Sequence, residues 1–177
     1  MSAVLQARVR ARRIPADPRP AVVRRARGSD YPEIAAQVDA WSRGRFMAAA
    51  LPRSFFEHFA DTSLLLHQGD RLVGVLVGFR SQTRPAVAYV HFLAVAPGER
   101  RGGFGRQLYE AFFELAATLG CGEIQSIASP VNSSLIAFHR QLGFGVVDGG
   151  GFSCGIAVCP DFAGLGQPRV LFRRALG

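Results

Sequence analysis

Apolar residues recur along the chain in two rhythms, and each rhythm predicts its own kind of element. Ala21–Arg27 (AVVRRAR) reads as a short strand. Ser29 and Asp30 then offer an N-cap, and Ile34, Val38 and Trp41 share one helical face. A second helical stretch is expected after Pro52, with Phe55, Phe56 and Phe59 packing inward. Leu64–His67 and Arg71–Arg80 predict strands joined by the turn Gln68-Gly69-Asp70, a hairpin signal. Ala86–Ala96 is almost wholly apolar, which predicts a strand buried on both faces. Beyond it, Leu108, Phe112, Leu115 and Leu119 repeat with helical spacing, and Gly120 supplies a stop. Glu123–Ser129 predicts another strand. Asn132 caps a helix carrying Leu135, Phe138 and Leu142, which Gly143 ends. Phe144–Val147 and Arg169–Arg174 predict two last strands, on either side of a glycine-rich loop, Gly149–Pro168. The order β-α-α-β-β-β-α-β-α-β-β implies one α/β (α+β) domain, a mixed sheet with helices on both faces.

Composition narrows the class. The chain has 177 residues, 49% of them hydrophobic, enough for one domain with a buried core and far from the composition of disorder. No apolar run approaches the ~20 residues of a membrane span, and no apolar h-region follows the N-terminal arginines. Neither a membrane partner nor a signal peptide is expected, and the expected location is the cytoplasm. Three cysteines without C-x-x-C spacing (Cys121, Cys154, Cys159) fit reduced thiols better than a disulfide frame or zinc site, and no metal is expected. The formal charge is +8, and every basic residue is arginine. Residues 1–27 hold eight of the 21 arginines and one acid; the other thirteen face twelve acids. The basicity is therefore a property of the N-terminal stretch, and a nucleic-acid groove in the folded domain is not expected. Residues 1–19 read as an Arg-rich extension, solvated or acting as a polyanion-binding arm, and residues 20–177 as the domain.

One segment carries candidate chemistry. The strand ending near Ala96 feeds into P-G-E-R-R-G-G-F-G (Pro97–Gly105) and then directly into a helix. A helix N-terminus presents unpaired N–H groups and partial positive charge. Glycines allow φ > 0 and close approach of those groups to an anion. Arg100, Arg101 and Arg106 add charge around the same point. This is the composition of a phosphate cradle. It is not a P-loop, because no Gly-Lys-Ser/Thr follows, and Gly102, Gly103 and Gly105 do not make a dinucleotide G-x-G-x-x-G.

The segment FLAVAPGERRGGFGRQLYEAFF resembles the signature V-x-P-x-x-R-x-x-G-x-G-x-x-L of the GNAT superfamily of N-acetyltransferases, through Val95, Pro97, Arg100, Gly103, Gly105 and Leu108. Downstream, NSSLIAFHRQLGF resembles the second motif, N-x-x-A-x-x-x-Y-x-x-x-G-F, with Asn132, Gly143 and Phe144 in register. The resemblance spans roughly residues 20–175. It departs at Leu135, where the family has alanine, and at His139, where the family has the tyrosine often assigned as general acid. The likeness implies a single-domain fold with a mixed, mostly antiparallel, splayed sheet flanked by helices on both faces. It implies acetyl-CoA as co-substrate and direct acetyl transfer to a primary amine of a small molecule or peptide. The pyrophosphate would sit on the N–H groups of Arg101, Gly102, Gly103, Phe104, Gly105 and Arg106, beside Arg100. The pantetheine would pair with the backbone of Leu93, Ala94 and Val95, and Asn132 and Phe138 would line its far side. A backbone N–H near Val95 is the natural oxyanion donor. Dimers are common in the family, so a homodimer is a further expectation.

Two histidines are candidates for proton transfer. Strand parity places Tyr89, His91, Leu93 and Val95 on one face. An amine arrives protonated, and an imidazole with an ordinary pKa of ~6.5 suits its deprotonation. The run Y-V-H-F-L-A-V also resembles the arylalkylamine branch, where a histidine at this strand position serves as base. A core histidine satisfied by a backbone carbonyl is the alternative. His139 would replace the usual acid, or be a packing residue. Trp41, Arg45 and His58 fall in the region that covers the acceptor pocket in the family. Two rival functions stay open: a non-catalytic acyl-CoA-binding sensor that lost the acid, and an RNA-associated acetyltransferase using the basic tail.

Overall fold

The computed structural model describes residues 19–42 and 47–177. The Arg-rich extension up to residue 18 and Arg45 lie outside the described residues. The chain runs through β1 (Ala21–Arg25), α1 (Tyr31–Trp41), α2 (Ser54–His58), β2 (Leu64–Gln68), β3 (Arg71–Arg80) and β4 (Val87–Val95). It continues through α3 (Phe104–Thr118), β5 (Glu123–Ala128), α4 (Ser133–Gln141), β6 (Gly145–Val146), β7 (Gly151–Ser153), β8 (Ile156–Val158) and β9 (Val170–Ala175). Seven strands form one sheet in the order β1-β2-β3-β4-β5-β9-β6, and β7 and β8 pair as a separate hairpin. Among the described strands only β4 and β5 run parallel, with α3 as their crossover. The expected α+β architecture, mostly antiparallel with helices on both faces, is the one observed.

The two faces can be read from adjacent residues of β3. A Cβ added at Gly74 or Gly78 would meet Leu108 or Phe112 of α3, whereas the Phe79 ring packs against Phe55 and Phe59 around α2. Successive strand residues face opposite ways, so α3 covers one face and α1 and α2 the other. At Gly78 the missing side chain decides how close α3 lies: a Cβ there would be 2.5 Å from the Phe112 ring and 2.9 Å from the Tyr89 carbonyl oxygen. Gly78→Ala is therefore expected to destabilise the fold by about 1–3 kcal/mol, the cost of overpacking, despite its better backbone propensity. The denaturant midpoint of the variant measures this.

Three sequence expectations shift in the structure. The buried stripe of α3 is Leu108, Tyr109, Phe112, Phe113 and Ala116, while Leu119 caps the helix and is exposed. On α4 the residues facing the core are Ile136 and His139, with Leu135 and Phe138 half-buried beside them. The Gly149–Pro168 stretch, expected as loop, contains the β7–β8 hairpin. Among the described residues no helix is long and apolar enough to cross a membrane.

Candidate functional site

Beyond Val90 the parallel pair comes apart. Val87 to Val90 of β4 pair with Glu123 to Ser126 of β5, and no rung joins them further on. β5 keeps its other neighbour, β9, through Ala128. The sheet thus splits into a fork whose β4 side is His91–Val95. These five residues are half-buried, so the strand expected to be buried on both faces is open along this half.

A bulge sets what faces where. Val77 of β3 pairs with Phe92, but Gly78 pairs with Val90, leaving His91 as the extra residue. A bulge breaks strand alternation, and this corrects the expectation that Tyr89, His91, Leu93 and Val95 share a face. Val95 lies opposite Gly74 and its side chain is 3.8 Å from where a Gly105 Cβ would stand, on the α3 face, and Leu93 follows it. His91 instead turns to the α2 face. There its ring stacks on Phe55 at 4.4 Å between centroids, and Nε2 lies 2.9 Å from the Ala50 carbonyl oxygen. Since a carbonyl only accepts, Nε2 carries the proton and Nδ1 keeps the lone pair. Phe79 and Tyr89 continue this row of half-buried rings. Burial raises the Tyr89 phenol to about 12, so it stays protonated across the physiological range.

Backbone polarity along the fork follows from one bond. The Ala96 N–H donates to Val73 across the β3 side, so alternation turns the N–H and C=O of Val95 and Leu93 into the fork. Val95 therefore presents its N–H to the fork. Its carbonyl is taken by Arg100 Nε at 3.2 Å, and Arg100 Nη2 reaches the Trp41 carbonyl at 3.4 Å, tying the mouth of the fork to the end of α1. Trp41 itself is buried in the core, so its expected place in an acceptor pocket is not observed. His58 is exposed at the end of α2.

The glycine turn is a left-handed cradle. Arg101 has φ +70° and Gly103 φ +84°, and Gly103 is the N-cap of α3. No side chain caps this helix end, and Gln107 is the first residue whose N–H returns to the turn, at the Gly103 carbonyl. The N–H groups of Phe104, Gly105 and Arg106 remain as orphan donors. A Cβ at Gly103 would meet nothing within 4 Å, so the concavity is open, while one at Gly105 would lie 3.1 Å from the Phe138 ring. Phe138 thus stands beside the turn and Val95. Of the three arginines, only Arg101 is left without a partner in the described fold. Arg106 binds the Gln141 carbonyl at 3.1 Å, and Arg100 is spent on carbonyls as above. Asn132 uses its side-chain oxygen to cap α4, accepting the Leu135 N–H at 3.1 Å.

His139 is sealed, at 1% exposure. Its Nδ1 donates to the Leu135 carbonyl at 2.9 Å, Nε2 lies 2.8 Å from the Tyr109 hydroxyl, and the ring stacks on Phe172 at 4.4 Å. This is the geometry of the packing alternative. Desolvation pushes the imidazole pKa below its ordinary value, against the Leu135 bond. His67 is lowered in the same direction, by burial and by Arg24. A base lowered in the folded state gives full stability above the unfolded value of ~6.5 and loses it as pH falls toward the folded value. Unfolding free energies from urea titrations are therefore expected to be flat above pH ~6.5 and to fall below it, by up to about 1.4 kcal/mol per pH unit for each such proton. Repeating the series on His139→Phe should flatten part of that slope.

Among the described residues, no group of three or more His, Cys, Asp or Glu could hold a metal ion. The site offers main-chain donors at an open cradle, a strand edge at a fork, and an imidazole lone pair on the opposite face. It is suited to holding a phosphorylated carrier with an extended arm. Solved structures share this architecture. Ard1 from Thermoplasma volcanium is 18% identical, with TM-score 0.72 over 89% of this chain and 98% of its own. The Salmonella typhimurium protein yncA, solved with its cofactor acetyl-CoA, is 16% identical, with TM-score 0.66 over 89% and 94%. Diaminobutyrate acetyltransferase EctA from Paenibacillus lautus, solved with L-2,4-diaminobutyric acid and coenzyme A, is 18% identical, with TM-score 0.61 over 87% and 95%. At these identities the likeness is one of fold. No curated protein matches the chain. Residues 23–144, more than half of the chain, match the Acetyltransferase (GNAT) family, and the chain belongs to that family.

Proposed function

We propose that this protein transfers the acetyl group of acetyl-CoA to a primary amine of a small molecule or peptide by direct attack. One observation carries the reading: the open glycine cradle at the N-terminus of α3 lies at the mouth of the β4–β5 fork. When bound, acetyl-CoA would supply an activated acyl group. The N–H groups of Phe104, Gly105 and Arg106, with Arg101, would hold its diphosphate, and the free edge of Leu93 and Val95 its amide arm. The Val95 N–H would stabilise charge on the carbonyl oxygen. His91 Nδ1, four residues along β4 from Val95, would take the proton from the amine through water as the amine nitrogen bonds the acyl carbon and the carbon–sulfur bond breaks. The departing thiolate has a pKa near that of cysteine, ~8.5, and can leave without an acid. That fits a His139 turned into the core. The acetyl-CoA in yncA and the amine in EctA support the choice of co-substrate and acceptor class.

The sealed His139 also favours a second reading, an acyl-CoA-binding sensor without turnover. Free-thiol release from acetyl-CoA across a panel of amino acids, aromatic and aliphatic amines and peptides separates the two. Transfer requires release above the hydrolysis baseline with at least one primary amine. Tight binding with no release on any of them would establish the sensor instead.

A further inference from the structure

The second arm of the fork carries a charge that the proposed chemistry does not use. Ser126 of β5 pairs with Val90 of β4 and with Phe172 of β9, so this rung is the root of both arms. Phe172 stacks on His139 and Arg174 lies over the Phe113 ring, which turns both toward α3 and α4. Alternation then turns Arg169, Leu171 and Arg173 to the opposite face, the one that holds His91 and α2. Ile127 pairs with Leu171 and faces the same way, and both are half-buried. Arg169 stands just past the last rung, Ala128 with Val170, and so ~10 Å from the root toward the mouth. On the β4 arm His91 is nearer the root than this and Val95 further out. An amine placed between them would meet Arg169 across the gap.

Other arginines beside this face are committed. Arg173 pairs with Glu123, and Arg84 donates to the Gln125 side-chain oxygen at 3.1 Å. Arg169 gives one Nη1 hydrogen bond to the Pro168 carbonyl, at 2.9 Å, and no carboxylate among the described residues pairs with it. Two backbone hydrogen bonds to Cys159 fix the start of its side chain. Its charge is felt at Tyr89, where burial raises the phenol and Arg169 opposes that rise. The half-buried guanidinium therefore points across β5 toward the β4 arm. Ile127 and Leu171, with the Phe79 and Tyr89 rings, make the rest of this face apolar. A guanidinium with open donors and no acid beside it is suited to a carboxylate, which it can grip with two parallel bonds. We propose that Arg169 binds a carboxylate on the acceptor, so that the preferred amines are amino acids with apolar side chains. This deepens the transfer reading above and rests on it.

Initial rates with leucine, phenylalanine and methionine, their carboxamides, and the matching amines without the carboxyl group test this. For at least one of the acids, wild-type kcat/KM should exceed that of its amide about tenfold or more, the worth of hydrogen bonds to a charged group. Intrinsic reactivity runs the other way, because the amide's amine is less basic and more of it is unprotonated at neutral pH. Arg169→Gln removes the charge but can still donate to the Pro168 carbonyl. It should raise KM for the acid about tenfold or more, with kcat and both constants for the amide near wild type. Arg169→Lys keeps the charge without the two-pronged geometry and should recover part of that affinity. Wild-type protein that acetylates the amides or the plain amines as well as the acids overturns the proposal and leaves the transfer reading standing, whether or not the variants fold. So does a folded Arg169→Gln with an unchanged KM for the acid. Turnover with no amine of the panel overturns the transfer reading, and this proposal with it.

Discussion

Saturating acetyl-CoA is expected to raise the melting temperature, and Gly103→Asp to abolish that rise. A ligand that binds only the folded state at 100 times its Kd stabilises by about 2.7 kcal/mol, a shift of about 5–10 °C for a domain of this size. Gly103 is where the substitution bites, for two separable reasons. Its φ of +84° puts any L-residue in the left-handed region, at a cost of roughly 1–2 kcal/mol to the free protein. Its Cβ direction points into open space, so the carboxylate would stand in the cradle itself. There it would accept the orphan N–H groups and repel a diphosphate. Gly103→Asn tolerates the same backbone with nearly the same shape but without the charge. Its shift should survive in reduced form. Thermal melts of the three proteins with and without acetyl-CoA decide the matter: an undiminished shift in Gly103→Asp removes the cradle from the cofactor site.

The parts of this fold that were legible in the sequence are those set by local chemistry. The Gly120 and Gly143 stops and the Asn132 cap depend on neighbours within a turn or two, and all three stand as read. What escaped depends on partners far along the chain. The bulge at His91 is a mismatch between two strands, and nothing in Y-V-H-F-L announces which residue will be left over. Arg100 looked like a phosphate ligand because its neighbours in sequence are glycines, yet its hydrogen bonds go to Val95 and Trp41. The His139 bond to Tyr109 joins residues thirty apart on two helices. One signal was available: Tyr109 directly follows Leu108 on a helix stripe too broad for four leucine-like positions. The β7–β8 turn escaped for a different reason. Cys154 and Gly155 have φ +50° and +76°, as a tight hairpin turn requires, but Cys-Gly lacks the Asn-Gly or Asp-Gly pair that marks such turns.

The bulge also yields the second large effect. Without it, alternation would place His91 with Leu93 on the α3 face; with it, the imidazole stands among Phe55, Phe79 and Tyr89 at the first position past the fork. Its Nε2–H is committed to Ala50, which fixes the ring and leaves Nδ1 as the proton acceptor. His91→Gln can still donate an amide N–H to the Ala50 carbonyl but cannot take up a proton at neutral pH. With an amine that the wild type acetylates, this variant should lose about 10²-fold in kcat, the low end for a general base. The melting temperature and the acetyl-CoA affinity should stay near wild type, because neither the cradle nor the fold depends on that lone pair. His91→Ala should lose as much activity and some stability as well, since it leaves the Ala50 carbonyl unpaired and a gap against Phe55. The comparison separates base from brace. If His91→Gln turns over like the wild type while His91→Ala melts early, the imidazole serves only to hold β4 against the turn at Ala50, and the proton leaves by another route.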